Sequence, residues 1–473
     1  MTSIGCHCEE ENMTKTKIVG LMLGIVIIVG MCFVPGSGAL TVAGVRTIGI
    51  MLAFIVLLVS EALPIMYTCL ICLGLMPLLK ITPSFPAALV GFAHPVMFFI
   101  IGSFGIATAF SEVPLSKRLL IALLKIFGKN IRSMIFAIML VCAIISSLVS
   151  NVPTCALGMS IALSFLELYS NGDEKKRTGR TLMIAIPVAS MIGGMMTPAG
   201  SSHNLLAISL LEQYAGQNIT FIQWMAAGIP LTIIALPLAW LVICGINKPA
   251  EIDPVIVKSF INNIEIPKKM SSGEIKTLAI TLIMLTLWIL SSWIRSINVM
   301  VVALLGSCAL CLPGIGVYPF KKYAASINWE AMVLIGTVFS FGPTMVTNKV
   351  SDWVITLIPS ISLSAPILIG FVSLVAFMLL IFIPIGSTLL IIMSLPFITL
   401  ATVTGVSPVY VMFAFGIVST QCFLLPLDVV PLLTYSTGYY SMKDMAKTTV
   451  WLQLGMVVLL SLWTPIIGKI LGF

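Results

Sequence analysis

Charge is scarce in this sequence. Asp, Glu, Lys and Arg make up 9% of its 473 residues, against roughly 25% in an ordinary soluble domain. Histidine is scarcer still, with 3 in the whole chain. No long polar tract occurs; the longest hydrophilic segment runs from about 247 to 275. A soluble enzyme, a nucleic-acid-binding protein and a disordered chain are therefore excluded as whole-chain readings, because a water-soluble fold cannot hide this much apolar surface. A phosphate-binding Gly-Lys-Ser/Thr loop, a kinase signature and a metal-ligand set are also lacking. ATP-driven transport thus finds no residues to carry it.

What is present is hydrophobic. Apolar residues reach 59% and the mean hydropathy is +1.14. These values indicate an all-α, polytopic membrane protein. Its 36 Gly and 26 Pro fit, since both are tolerated in membrane helices when neighbours re-satisfy the backbone. Of 11 cysteines, most lie inside apolar runs (Cys69, Cys72, Cys142, Cys155, Cys244, Cys308, Cys311, Cys422), where Cys acts as a small hydrophobe. Cys6, His7 and Cys8 read as part of a solvated tail, with no further metal ligands nearby. The polar start up to Asn12 and the length of the first apolar run argue against a cleavable signal peptide.

A span needs about 20 apolar residues. Eleven candidates follow: 18–35, 39–59, 62–79, 95–111, 181–196 continuing into 204–215, 220–246, 277–294, 298–313, 329–347, 408–425 continuing to about 436, and 446–471. Two further blocks, 131–168 and 361–404, are twice too long for one span. Each is interrupted by a polar knot, Ser150-Asn151-Val152-Pro153-Thr154 in one and Pro384-Ile385-Gly386-Ser387-Thr388 in the other. Each block is either a re-entrant hairpin or two spans with a tight turn. With a cytoplasmic N-terminus and hairpins that return to their own side, 20 of the 25 Lys and Arg fall inside. Only Arg46, Lys80, Arg295, Lys349 and Lys469 fall outside, as the positive-inside rule requires of a cytoplasmic-membrane protein. Seven basic residues flank the first block between Lys125 and Arg180, and none occurs between Lys349 and Lys443. The first hairpin is thus expected to enter from the cytoplasm and the second from outside, the mark of an inverted-topology repeat. Three features recur in order: Ile101-Gly102-Ser103 with Ile335-Gly336-Thr337, the knots at Asn151 and Ser387, and the breaks at Pro198 and Pro426, at offsets of 234, 236 and 228 residues. The first pair leads to Ser116 and Lys117 in one half and to Lys349, Ser351 and Asp352 in the other.

Polar groups at membrane depth are costly and so are functional candidates. The first cluster is Ser146, Ser147, Ser150, Asn151 and Thr154, where Pro153 turns the chain. Carbonyls and hydroxyls there suit Na⁺, whereas free amides and an Asn NH₂ suit a carboxylate. The second cluster runs from Gly193 to Asn204 between two apolar half-helices. Its glycines and Pro198 break the helix, and the next half-helix, from about Asn204, offers amides and a dipole to an anion. Its counterpart, Leu425 to Pro431 with Thr434, Ser436, Thr437 and Gly438, carries Asp428, one of few carboxylates at this depth. Asp428 suits cation binding, proton carriage, a salt bridge or a solvated loop position.

These motifs resemble a known family. Ser150-Asn151, Gly193-Gly194-x-x-Thr197-Pro198-x-Gly200 with Asn204, Asn218-Ile219-Thr220-Phe221-x-Gln223-Trp224-Met225, Ser436-Thr437-Gly438-Tyr439, Lys443-Asp444-Met445 and Trp451 look like those of the divalent anion/sodium symporters, which carry di- and tricarboxylates and sulfate. The resemblance covers about Lys15 to Phe473. It implies two Ser-Asn-Thr hairpin tips that hold Na⁺ and substrate carboxylates. Here the first tip reads Ser150-Asn151-Val152 and the second Gly386-Ser387-Thr388. The family's Pro-Pro-Asn after each broken helix reads Ser202-His203-Asn204 in one half and Val430-Pro431 in the other.

The expected anion site comprises Asn151, Thr154, Ser202, Asn204, Ser387, Thr388 and Pro431. The expected Na⁺ ligands are Ser146, Ser150, Asn151, Gly200, Ser387 and Asp428. The resemblance further implies a homodimer and an elevator motion. The expected organisation is a tail (1–16), scaffold helices and arm of repeat one (17–128), its transport part with hairpin and broken helix (129–246), a cytoplasmic loop (247–276), scaffold and arm of repeat two (277–360), and its transport part (361–473). Amphipathic arms are expected near 115–128 and 349–360. The expected function is Na⁺-coupled uptake of a di- or tricarboxylate, with Na⁺-independent exchange or sulfate-like substrates as alternatives, and a membrane-embedded enzyme or sensor as a remote one.

Overall fold

A computed structural model describes residues 15–36, 40–60, 62–127, 130–253, 255, 257, 259, 267, 269–294, 296–350, 353, 363–383 and 385–472. The expected second arm (349–360), including Ser351 and Asp352, lies almost wholly outside the described residues, as do the Cys6–Cys8 tail, Pro384 and Arg295. Among the described residues the fold is all helix, with twenty α-helices and two short 3-10 turns.

The first half runs α1 (Lys15–Phe33), α2 (Val42–Val59), α3 (Ile65–Leu78), a short α4 (Phe85–Ala88), α5 (Pro95–Glu112), α6 (Leu115–Phe127), α7 (Ile131–Val149), α8 (Asn151–Leu166), α9 (Gly172–Gly194), α10 (Ser202–Ala215) and α11 (Phe221–Asn247). The second half runs α12 (Ser272–Leu290), α13 (Val299–Cys311), α14 (Phe320–Ser326), α15 (Trp329–Thr347), α16 (Ala365–Phe382), α17 (Gly386–Thr404), α18 (Pro408–Ser419), α19 (Val429–Tyr435) and α20 (Met442–Leu471). The order long helix, helix pair, broken helix, long helix thus occurs once from α5 to α11 and again from α15 to α20.

Nine described helices are long and apolar enough to cross a membrane. Side-chain exposure agrees. On α16 Ile367, Phe371, Leu374, Met378 and Phe382 are exposed while Leu368, Ile369, Val372 and Ala376 are buried. An apolar stripe of this helical period left outside a folded chain faces lipid, not water. The protein is a multi-pass membrane protein.

Boundaries differ from the sequence expectation where caps, not hydropathy, set the ends. α9 starts at Gly172 rather than 181 because Asn171 accepts from Asp173 N and acidic residues fill the first turn, both favourable at a helix N-terminus. α20 starts at Met442 because Ser441 and Asp444 form a capping box. α10 starts at Ser202, two residues before the expected Asn204, because Ser201 is the N-cap. The expected span 408–425 unwinds after Ser419, and helix resumes only at Val429.

The described residues fall into two compact units, one from Met1–His94 and Asn328–Leu357, the other from Pro95–Ile327 and Ile358–Phe473. The first takes α15 from the second half, and the second joins α5–α11 to α12–α14 and α16–α20. In the first, α15 lies so close to the 3-10 turn Val90–Ala93 that a Cβ on Gly91 would sit 2.2 Å from the Gly336 carbonyl. The Gly91 amide donates to Ser340 Oγ, and His94 stacks on Phe339 with ring centres 3.9 Å apart. In the second, α5 packs on α13, and a Cβ on Gly102 would lie 2.6 Å from the Ala303 carbonyl carbon. Carbonyls of Gly102, Gly105 and Ile101 accept from Ser307, Tyr318 and Tyr323 hydroxyls. Small residues let backbones approach, and hydroxyls then bond across the contact.

The amphipathic α6 coincides with the expected first arm. Its Arg118 pairs with Glu274 and donates to the Pro267 and Lys269 carbonyls. This ties α6 to the segment that leads into α12.

Candidate anion and cation site

The first tip is one residue long. Between α7 and α8 only Ser150 is non-helical, at φ 98°, ψ 157°, a conformation rare for a side-chain-bearing residue. Pro153 sits in the first turn of α8, where its missing amide costs nothing. The tip side chains bond one another. Ser146 Oγ donates to Asn151 Oδ1 at 2.6 Å, and Thr154 Oγ1 donates to the Ser150 carbonyl at 2.8 Å.

The first broken-helix loop interlocks with this tip. Thr197 Oγ1 donates to the Ser147 carbonyl at 2.6 Å and accepts from Gly200 N at 3.0 Å. Asn204 Nδ2 donates to the Gly194 carbonyl at 2.8 Å and the Thr197 carbonyl at 2.9 Å. Trp224 Nε1 holds the Met195 carbonyl at 3.0 Å. The freed carbonyls expected of a broken helix are thus largely bonded. Glycine is required by close approach: a Cβ on Gly193 would lie 2.3 Å from Ala143 Cα, and one on Gly194 would lie 2.3 Å from Asn151 Oδ1. Asn204 Oδ1 is fully buried and has no hydrogen-bond partner among the described residues.

The second tip is assembled differently. Gly386 opens α17 so close to the end of α18 that a Cβ there would lie 1.9 Å from the Ser419 carbonyl oxygen and 3.1 Å from His203 Nε2. Ser387 is half-buried. Thr388 Oγ1 and Gln421 Oε1 are buried without a partner among the described residues. Gln421 Nε2 donates to Met195 Sδ at 3.3 Å.

Of the expected residues, the structure gathers Ser146, Ser150, Asn151 and Thr154 in one turn, and sets Asn151 against the loop that holds Gly200 and Asn204. Ser202 is exposed at the first turn of α10. Asp428 is the N-cap of α19 and accepts from Val430 N at 3.0 Å. It lines a small pocket with Cys422, Leu427 and Gln453. The Pro431 carbonyl accepts from Thr434 Oγ1 and Tyr440 OH. Sequence reasoning gave no role to Thr197 as a brace, to Gly194 as a spacer, or to Ser419 and Gln421. The signal for the last two was their place just before the Leu425–Pro431 break.

The donor set fits Na⁺. Asn151 Oδ1, the orphaned Asn204 Oδ1 and nearby carbonyls are neutral, hard oxygens of the kind unwound membrane helices offer to that ion. The amides of the α10 N-terminus suit an anion beside it. A cavity of ≈ 360 Å³ adjoins the loop at Pro198 and is lined also by Leu205, Ser209, Glu212, Asn218 and Ser292.

The family described as the sodium:sulfate symporter transmembrane region matches residues 15–473. The chain belongs to that family. A curated relative is the sodium-dependent dicarboxylate transporter SdcS of Staphylococcus saprophyticus, 24% identical over 96% of this chain and 92% of its own. The fold is shared with the Alcanivorax borkumensis YdaH transporter at TM-score 0.55 and 13% identity, over 80% of this chain and 86% of that one. It is shared too with Neisseria gonorrhoeae MtrF, of a class of antimetabolite efflux pumps, at TM-score 0.61 and 10% identity, over 97% and 95%. Family and relatives are transporters, so the chain is a membrane transporter and not an enzyme.

Proposed function

We propose that this chain is a Na⁺-coupled secondary transporter of small multivalent anions, dicarboxylates first, in the cytoplasmic membrane with its N-terminus inside. The observation that carries the reading is the interlocked first tip and loop. Asn151 Oδ1 lies against Gly194, whose carbonyl Asn204 holds at the first turn of α10, and Asn204 keeps a buried oxygen with no partner among the described residues; this supports a reading in which a cation and an anion are held side by side there. Ser146, Ser150, Asn151 and Gly200 would hold Na⁺, with Ser387 and Asp428 as second-half ligands. Asn151, Thr154, Ser202, Asn204, Ser387, Thr388 and Pro431 would surround the anion. The bound cation supplies charge neutralisation for the anion at membrane depth. The name of the SdcS relative supports this ion and this substrate class.

The motion we propose is an elevator, in a homodimer, in which the helix pairs and broken helices slide with their cargo and α6 acts as one linking arm. Na⁺-independent exchange is the second reading. It is favoured by the second tip, where Gly386 and Ser387 offer no amide side chain.

The test is a thermal-shift screen of the purified protein with succinate, citrate and sulfate, with and without Na⁺. Ligands that bind only the folded state raise its melting temperature. Succinate is expected to raise it only when Na⁺ is present. Equal shifts without Na⁺ would establish the exchanger reading, and no shift with any anion would overturn both.

A further inference from the structure

In the motif from Asn218 to Met225, Thr220 and Gln223 form the capping box of α11, and Trp224 holds the Met195 carbonyl. Asn218 has no such task. Its side chain makes no hydrogen bond among the described residues and lines the ≈ 360 Å³ cavity beside Pro198. Every residue that lines this cavity belongs to the second compact unit.

The cavity follows one face of α10. Leu205, Ile208, Ser209 and Glu212 line it at the i, i+3, i+4, i+7 spacing of a single helical stripe. At 1.5 Å of rise per residue, that stripe is roughly 10 Å long. Glu212 is exposed and Ser209 is 4% exposed. Pro198 is buried, in the loop that carries the expected Na⁺ ligand Gly200. The cavity thus extends from the link between α10 and α11 to the broken helix, with Glu212 toward its mouth and Ser209 deeper.

The polar groups still free in it favour a cation. Ser209 is buried, yet its hydroxyl makes no hydrogen bond among the described residues. Glu212 forms no ion pair among them, and no Lys, Arg or His is among the described lining residues. Asn218 adds a carbonyl oxygen. The helix N-termini bordering the cavity would suit an anion, but their amides are already taken. Ile222 N donates to Ser292 Oγ, Gln223 N to Thr220 Oγ1, and Met300 N and Val301 N to Asn298 Oδ1. A carboxylate without a counter-charge, in a cleft with apolar walls, concentrates cations. The volume admits an ion with its water shell.

We infer that this cavity is an antechamber for the coupling cation, in which Glu212, with Ser209 and Asn218, holds a hydrated Na⁺ before it passes to the Pro198 loop. The inference rests on the Na⁺-coupled reading and adds the residues that gather the ion. Glu212 acts through its charge on an ion that keeps its water, so its effect is open to screening by salt.

The test is uptake into vesicles of either orientation, using whichever of succinate, citrate and sulfate the wild type carries. Na⁺ is titrated on the uptake side, with choline keeping ionic strength constant and low. Glu212→Gln should raise the Na⁺ midpoint ~3-fold, the loss of one unit charge about 10 Å from the ion. Glu212→Lys should raise it further, and Glu212→Asp should return it to near the wild-type value. The maximal rate should be regained at saturating Na⁺. The shift should appear for Na⁺ on one face of the membrane only, and should shrink when choline chloride raises ionic strength to about 0.5 M. Equal midpoints in wild type, Glu212→Gln and Glu212→Lys would overturn the inference. So would a shift that is the same from both faces, or one that salt leaves untouched, since Glu212 would then be a ligand of the bare ion or a structural residue. If Glu212→Lys does not fold, Glu212→Gln and Glu212→Asp carry the comparison. Wild-type protein that carries none of the three anions, or carries them without Na⁺ dependence, would instead overturn the Na⁺-coupled reading and take this inference with it.

Discussion

The two halves of the candidate site solve one problem in different ways. In the first, a helix tip and a broken helix are laced by side chains: Ser146 to Asn151, Thr197 to the Ser147 carbonyl, Asn204 to two carbonyls. In the second, tip and break meet backbone to backbone, with Gly386 against Ser419, and Thr388 and Gln421 are left with unpartnered oxygens. A laced half keeps its geometry without cargo. The second half, with unpartnered buried oxygens at Thr388 and Gln421 against the first half's one at Asn204 among the described residues, gains more when cargo arrives. The first half is therefore expected to act as the standing cation platform, and the second as the part that the ligand completes.

The sharpest way to break that contrast is Asn151→Ala. The substitution removes the acceptor of Ser146 and an expected ligand of both ion and anion. A bond to a charged group is worth up to about 3 kcal/mol, so uptake of labelled succinate into vesicles should fall ~100-fold. Gel filtration should still show folded protein. Uptake at the wild-type rate would remove Asn151 from the site.

A second experiment asks whether the halves face opposite sides, as the seven-to-none split of flanking basic residues implies. A cysteine at Asn171, exposed before α9, should be labelled only from the cytoplasm. One at Thr402, exposed near the end of α17, should be labelled only from outside. Labelling of both from the same side would dissolve the inverted repeat and with it the pairing of the two tips.

Gly386→Ala follows in expected effect. Its Cβ would fall 1.9 Å from the Ser419 carbonyl, so tip and break must part. Overpacking of this kind costs roughly 1–3 kcal/mol, and the melting temperature of ligand-free protein should drop by a few degrees. An unchanged melting point would show that the second half is slack and not pressed together.

The sequence exposed the architecture because lipid makes few demands and makes them everywhere: apolar runs, basic residues inside, and Gly, Pro and Ser where a helix must stop. Asn151, Gly193, Pro198 and Gly386 were legible as breaks for that reason. What each break touches was not legible. Thr197 reads as one more polar residue in a loop, and only folding brings it against Ser147, fifty residues away. Asp428 shows the converse. As a lone carboxylate at membrane depth it stands out in the sequence, yet its hydrogen bond caps the seven-residue α19 through Val430 N. Local capping leaves the same residue type in the same place as ion binding does, so hydropathy alone does not separate them.

The finest test sets two threonines side by side. Thr197 Oγ1 donates to the Ser147 carbonyl and accepts from Gly200 N. Thr197→Val would strand both backbone groups in a buried place, at a cost of about 1–3 kcal/mol. Ligand-free protein should then melt a few degrees lower, and uptake should fall in step with the loss of folded loop. Thr388 Oγ1 has no partner among the described residues. Thr388→Val keeps the shape and removes a buried hydroxyl whose desolvation nothing repays, so ligand-free stability should hold or rise slightly. Only the bound state loses a donor, and succinate affinity should weaken ~5-fold, the worth of one neutral hydrogen bond near 1 kcal/mol. Thermal melts with and without succinate read both quantities in one experiment. If Thr388→Val destabilises the ligand-free protein as much as Thr197→Val does, the second half is bonded internally like the first, and the asymmetry between platform and ligand-completed half does not exist.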